Sequence, residues 1–261
     1  MKKILFAFAV AALLAGPALA QTAADHVREG DAAYAKFDDT TALEHYQAAL
    51  KLEPGNYEAL WKASRAMVDI ADVIPATDKD IKTKQMKLYT DATALARKAV
   101  DANSNDTWGH FQLAAANGKR LLMLGKKDQI EASKAVRAEI DKAIELDPTN
   151  HLAYHALGRW QRRMAEIGGA KRFFGGIIYG SIPKGSFEES EKDLRKAIEL
   201  HPEYVNHYVE LGRTLVALKK YDEAARSFEK AIDLPKTTSK DDVLKADAKV
   251  ELDNLKPKLN K

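Results

Sequence analysis

Ala49-Leu50-Lys51-Leu52-Glu53-Pro54 returns as Ala143-Ile144-Glu145-Leu146-Asp147-Pro148, as Ala197-Ile198-Glu199-Leu200-His201-Pro202 and, one residue shorter, as Ala231-Ile232-Asp233-Leu234-Pro235. Each copy closes an apolar run of period 3.6, and its proline stops the helix just beyond the C-terminus. A phrase repeated at helix ends marks a chain assembled from copies of one supersecondary unit. A single helical hairpin leaves its apolar face open, so the units must stack to bury a continuous core.

Working outward, residues 23–56 carry Gly30 in the first helix and Ala42, Tyr46, Ala49 and Pro54 in the second helix and turn. Residues 205–238 repeat the arrangement with Leu211-Gly212, Ala224, Phe228, Ala231 and a proline one position early. These offsets resemble the 34-residue tetratricopeptide repeat. The expected fold is all-α, a tetratricopeptide-type α-solenoid of about five hairpins, at 23–56, 57–104, 105–149, 150–203 and 204–238, with a capping helix at 239–256. Gly30, Gly158 and Gly212 fall where paired helices approach closely, with Ala42, Ala49, Ala143, Ala197, Ala224 and Ala231 opposite them. Tyr46, Ile140, Leu194 and Phe228 are the large side chains that fill the remaining space.

The middle units are stretched. Helices are expected at 57–73 and 81–102, at 107–124 and 126–146, and at 151–167 and 187–200, with insertions around Ile74-Pro75 and over 168–186. Ser239 as N-cap, followed by Asp241-Asp242 in the first turn, opens the capping helix. The whole is expected to form a curved, compact right-handed superhelix.

Ahead of the repeats, Met1-Lys2-Lys3 gives a basic start, Ile4 to Leu14 an apolar run and Gly16-Pro17 a break, and Ala18-Leu19-Ala20 places small residues at the recognition positions. That order is a secretory leader over 1–20, cleaved after Ala20, and its apolar run is too short to span a bilayer. The expected mature chain, 21–261, is periplasmic or secreted and has no transmembrane segment. No cysteine follows the small residues, which excludes the usual lipid-anchored form of bacterial export.

The 261 residues hold 41 Lys and Arg against 38 Asp and Glu, and removal of Lys2 and Lys3 leaves the two nearly equal. The sequence pI of 8.8 therefore says little about partners, and the basic excess of a nucleic-acid-binding protein is missing. The chain contains no cysteine, which excludes thiolate metal sites, thiol nucleophiles and disulfides and suits an oxidising compartment.

From His155-Ala156-Leu157-Gly158-Arg159-Trp160 onward the chain resembles one particular family. Lys171-Arg172-Phe173-Phe174-Gly175, Pro183 and Phe187-Glu188-Glu189-Ser190 continue the likeness. Trp108 and Asp141-Lys142-Ala143-Ile144-Glu145-Leu146-Asp147-Pro148 lie upstream, and Leu234-Pro235-Lys236-Thr237-Thr238 with Asp241 downstream. The chain is similar over about 57–255 to the tetratricopeptide domain of the regulator of microtubule dynamics proteins, although its 168–180 insertion is richer in glycine. The resemblance implies the fold; it also implies links to microtubules and, in one member, phospholipid binding, which an exported chain would inherit as peptide or lipid capture.

Signatures of catalysis are weak. Gly175 to Ser181 has a phosphate-loop outline but lacks its lysine and follows no strand. His151 and His155 stand four apart on one helix face, a spacing for a shared metal, but no third ligand is evident. Glu188-Glu189 and Asp241-Asp242 sit at helix starts, where the macrodipole accounts for them. No catalytic residue, metal or cofactor is expected, and the reading is a binding protein.

In such repeats the first helix of each hairpin lines the concave face. Tyr34, Trp61, Arg65, Asn117, His155, Arg159, Arg162, Asn206 and Arg213 form the candidate groove, with Val27, Asp31, Val68, Leu113, Val209 and Val216 between them. Arginine offers a planar fork to carboxylate or phosphate. The partner expected there is a protein or peptide with an acidic group, or in the alternative a phospholipid head group. Against this stands a salt-bridged face, in which Asp69, Glu58 and Glu210 neutralise the cations of neighbouring repeats. Phe173, Phe174, Ile177, Ile178 and Tyr179 form a second candidate: a lid, a membrane contact, or packing under the next repeat.

Overall fold

The computed structural model describes residues 21–169, 175 and 181–259. The expected leader over 1–20 and Phe173, Phe174, Ile177, Ile178 and Tyr179 lie outside the described residues. Eleven helices are present among them: α1 Ala23–Tyr34, α2 Asp39–Leu52, α3 Tyr57–Asp72, α4 Ile81–Ala102, α5 Thr107–Leu121, α6 Lys126–Leu146, α7 His151–Ala165, α8 Phe187–Leu200, α9 Val205–Ala217, α10 Tyr221–Asp233 and α11 Asp241–Leu259. Pairs α1–α2, α3–α4, α5–α6, α7–α8 and α9–α10 are hairpins, each packed on the next, and α11 covers α9 and α10. No helix among the described residues is long and apolar enough to cross a membrane.

Side-chain caps fix where the helices begin. Thr22 and Asp25 form a reciprocal capping box on α1. The side chains of Asn56, Asn150 and Ser186 accept from the first free N–H groups of α3, α7 and α8, which satisfies donors that have no partner inside a helix. Two helices end before the apolar pattern does. At α5 the N–H groups of Met123 and Leu124 turn back three residues to Arg120 and Leu121, and at α7 the chain leaves through Gly168 at φ +66°. Ser239, expected as an N-cap, has another role: its hydroxyl donates to Asp39. The start of α11 is held instead by the Asp241 carboxylate, which accepts from the N–H groups of Thr237 and Thr238.

The close approaches expected from the repeat are present. A Cβ on Gly30 would stand 2.5 Å from the Tyr46 ring, and one on Gly212 would stand 2.5 Å from Phe228. Tyr46, Phe228, Ala42, Ala49, Ala224 and Ala231 are fully buried, so the rings have no room to withdraw. Gly212→Ala is expected to cost about 1–3 kcal/mol of overpacking, read as a lower urea midpoint with the helical circular-dichroism signal kept. An unchanged midpoint would mean that Phe228 can move.

The solenoid curls until its end meets its beginning. After α10 the chain crosses to the first two hairpins, where Lys236 lies over the Phe37 ring and Ser239 bonds to Asp39. Lys240 enters the inner face and meets Asp69 of α3 at 2.7 Å, with Asp72 at 3.8 Å.

Candidate functional site on the inner face

Helices α1, α3, α5, α7 and α9 stand side by side as the first members of their hairpins. This brings most of the predicted groove residues to one surface, in chemically different surroundings. Arg159, Arg162 and Arg213 converge on Glu210, which is only 3% exposed. Arg162 Nη2 donates to Glu210 Oε2, Arg213 Nη1 donates to Oε1 at 3.1 Å, and Arg159 Nε lies 3.4 Å from Oε1. Burial alone would raise the Glu210 pKa, but Arg159, Arg162 and Arg213 outweigh it and hold the carboxyl far below the ordinary range. Arg162 is buried and also pairs with Glu166 at 2.6 Å. Arg213 reaches Asp247 and Glu251 of α11. The salt-bridged arrangement holds for these three arginines.

Arg65 differs. Its guanidinium lies 3.6 Å from the centre of the Tyr34 ring and 5.0 Å from that of Trp61. No carboxylate stands within ion-pair distance of it among the described residues, and its Nε is buried without an acceptor. Trp61 is itself buried and stacks on Trp108, with ring centroids 5.3 Å apart and planes at 15°. It forms a floor under Arg65 rather than an exposed contact. The acids nearby are already engaged: Tyr34 donates to Asp69 at 2.9 Å, Lys240 takes the other Asp69 oxygen, and Lys62 bridges Asp31 and Glu58, at 2.7 Å each. Burial opposes the charge on Lys240, yet Asp69 first, and Asp72 behind it, keep that amine protonated.

His155 does not open onto a groove. It is buried, and its Nδ1 lies 3.0 Å from Nδ1 of His207, whose Nε2 is 2.8 Å from Nδ1 of His151. His201 and Tyr204 pack on the same rings, at 4.4 Å from His151 and 4.6 Å from His207. His207 uses one ring nitrogen for each neighbour, so the three imidazoles form a hydrogen-bonded chain rather than a chelate. In the neutral state each interior link has one donor and one acceptor. Burial, then Arg159, lowers the His155 pKa to about 3; burial, then His201, lowers that of His151 to about 4. His207 is depressed further, by burial and by its histidine neighbours.

Of the remaining predicted residues, Asn117 accepts from Arg120, at 3.0 Å from Nη2, and Asn206 keeps a buried Oδ1 with no partner. His207, Tyr204 and Lys240 were missed by sequence reasoning. The signal for His207 is positional: α7 and α9 are neighbours, so the third residue of α9 falls level between the first and fifth of α7. A surface depression of about 450 Å³ lined by Arg195, Ile198, Tyr208 and Arg226 shares no residue with this face.

Fold and inner face together define a class: a solenoid of stacked tetratricopeptide-type hairpins. A thermophilic tetratricopeptide protein of Thermus thermophilus aligns with a TM-score of 0.65 at 16% identity, over 88% of this chain and 99% of that one. PilF of Pseudomonas aeruginosa aligns with a TM-score of 0.51 at 13% identity, over 90% and 92%. The model of the family described as regulator of microtubule dynamics protein 1-3 matches residues 26–256, and the chain belongs to that family. The match includes the first hairpin, which the residue-level likeness over 57–255 had omitted. Regulator of microtubule dynamics protein 1 of Bos taurus is 26% identical over 197 residues, 75% of this chain and 61% of that protein. The protein of that name in Caenorhabditis elegans is 25% identical over 184 residues, 70% of this chain and 79% of that one. The chain thus spans about three-fifths of the length of its bovine relative.

Proposed function

We propose that this chain is a non-enzymatic scaffold of an exported compartment that captures an acidic segment of a protein or peptide on its inner face. The observation that carries this reading is Arg65, a guanidinium held flat against Tyr34 and Trp61 with no carboxylate in ion-pair distance among the described residues. Stacking leaves the in-plane N–H groups of Arg65 for oxygen acceptors: the Tyr46 hydroxyl takes part of that edge, and the rest is available to a carboxylate, which arginine binds in its plane. Paired cations on the rest of the face restrict anion capture to this end. The leader sequence supports export. Microtubules appear in the relatives' name, and an exported chain would not meet them; what carries over is recognition of a chain segment.

The phospholipid reading draws on the resemblance and on the apolar 173–182 stretch. The described inner face favours the peptide, because it presents ions and imidazoles instead of an apolar channel. The test uses fluorescent peptides ending in Asp or Glu with a free carboxylate, their amidated counterparts, and vesicles of phosphatidylglycerol. Saturable binding of the free-acid peptides, weakened at least about tenfold by Arg65→Gln and untouched by Arg195→Gln, is the expected result. Equal binding by wild type and Arg65→Gln would overturn it, as would capture of the vesicles alone.

A further inference from the structure

His26 and Glu29 lie one turn apart on α1, and His45 faces them from α2. Only the closing of the first hairpin brings the three together: His45 precedes Tyr46, the ring seated on Gly30, and His26 is one turn before Gly30 on the same face. The two Nδ1 atoms are 3.5 Å apart. Glu29 Oε2 is 3.7 Å from His26 Nδ1 and 3.2 Å from His45 Nδ1. That oxygen is buried and has no hydrogen-bond partner, although its twin Oε1 accepts from Gln21 at 2.7 Å. A buried carboxylate oxygen aimed between two imidazole nitrogens without bonding either is costly unless something else fills the space.

The spacing says what would fill it. Zinc binds imidazole nitrogen and carboxylate oxygen at about 2.0–2.1 Å, which puts neighbouring donors of a tetrahedral site about 3.3 Å apart. The three distances here bracket that edge. The donors are two neutral imidazoles and one carboxylate, a set suited to zinc and its neighbours rather than to calcium or magnesium, which take oxygen. The Glu29 and His45 side chains are about one-third exposed, so an ion and a fourth ligand from solvent have access. Gln21 holds the carboxylate in the orientation that presents Oε2, as outer hydrogen bonds commonly do around metals.

We infer that His26, Glu29 and His45 form a binding site for one divalent transition-metal ion of the zinc type, clamping the first hairpin. The site is separate from Arg65 and does not depend on peptide capture. The ion would replace the orphaned contact of Glu29 and tie α1 to α2 within the first hairpin.

The test uses the chain from Gln21 onward, with metal removed by chelation and then titrated with Zn²⁺ or Co²⁺ alone. One equivalent should bind, raise the unfolding midpoint, and give the intense visible absorption of tetrahedral Co²⁺. Glu29→Gln and His45→Gln should each weaken binding at least tenfold, with helicity kept. His151→Gln, which removes a member of the other histidine cluster, should leave it unchanged. In the unsubstituted chain, substoichiometric Cu²⁺ should broaden the ring signals of His26 and His45 first, a readout that does not rely on any variant folding. The inference is overturned if no stoichiometric binding occurs, if His45→Gln binds at full strength, or if broadening begins at His151, His155 and His207.

Discussion

Glu210→Gln is expected to remove about 3–5 kcal/mol of stability, the cost of breaking a buried ion pair from one side. The amide keeps the shape of the carboxylate, so the loss reports charge and not a cavity. With the carboxylate gone, Arg159, Arg162 and Arg213 would share a buried space with no anion between them, since Glu166 serves Arg162 and Asp247 and Glu251 serve Arg213 at the edges. The same carboxylate joins α7 to α9, and through Arg213 it reaches α11. The loss should therefore appear as cooperative destabilisation of the C-terminal half. Urea unfolding followed by helicity measures it, and hydrogen exchange in α7, α9 and α11 locates it. A loss below about 1 kcal/mol, the worth of an exposed pair, would show that water reaches the cluster and that Glu210 is not the hub.

Acid should act on a different element. His151, His155 and His207 have folded pKa values depressed below 6.5, chiefly by burial. The sign follows from linkage: the unfolded chain takes up protons first, so stability is complete above about pH 6.5 and is lost as pH falls toward the folded values. For His151 the fall from 6.5 to about 4 corresponds to roughly 3 kcal/mol, at 1.36 kcal/mol per unit. The linked imidazoles titrate as a group and not as three independent sites, so the expected total is about 3–6 kcal/mol lost between pH 6.5 and 4. That is a large part of the 5–15 kcal/mol typical of a folded domain. Groups facing the chain act in both directions: Arg159, Lys240 and His201 disfavour protonation, and Glu210 favours it. His155→Gln should flatten the pH dependence by removing one of the protonations. A free energy of unfolding that stayed level from pH 7 to 4.5 would rule the mechanism out.

Much of the fold was readable because the repeat states its own packing. Gly30 opposite Tyr46, and Gly212 opposite Phe228, could be paired from spacing alone, since each contact joins two helices of one hairpin separated by a short turn. The ends of α2, α6, α8 and α10 were equally legible, because a shared closing phrase marks each. The inner face was legible only in part. Sequence spacing placed Arg65, His155, Arg159, Arg162 and Arg213 on it and named Glu210 as a possible neutraliser. It could not choose between a free and a paired arginine, because that depends on the offset between successive hairpins. The first of them stayed without an acid because Asp69 is taken by Tyr34 and Lys240, and Lys240 comes from far along the chain. Its arrival depends on the accumulated rotation of every intervening unit, and no local pattern encodes that sum. His26, Glu29 and His45 escaped notice for a simpler reason: nineteen residues separate the two histidines, and neither carries a motif.

The contact of Ser239 with Asp39, and of Lys240 with Asp69, has a consequence for how the molecule comes apart. A linear array of repeats behaves as a one-dimensional chain of coupled spins, in which the end units, having one neighbour each, melt first and the disorder spreads inward. Joining the two ends changes the boundary condition. The first hairpin gains a second neighbour, and a unit can then leave only by breaking two interfaces instead of one. Such a ring resists the first defect and gives way quickly after it. Cutting the join with Ser239→Ala and Lys240→Ala together should turn one sharp thermal transition into a broad one that starts at α1 and α2.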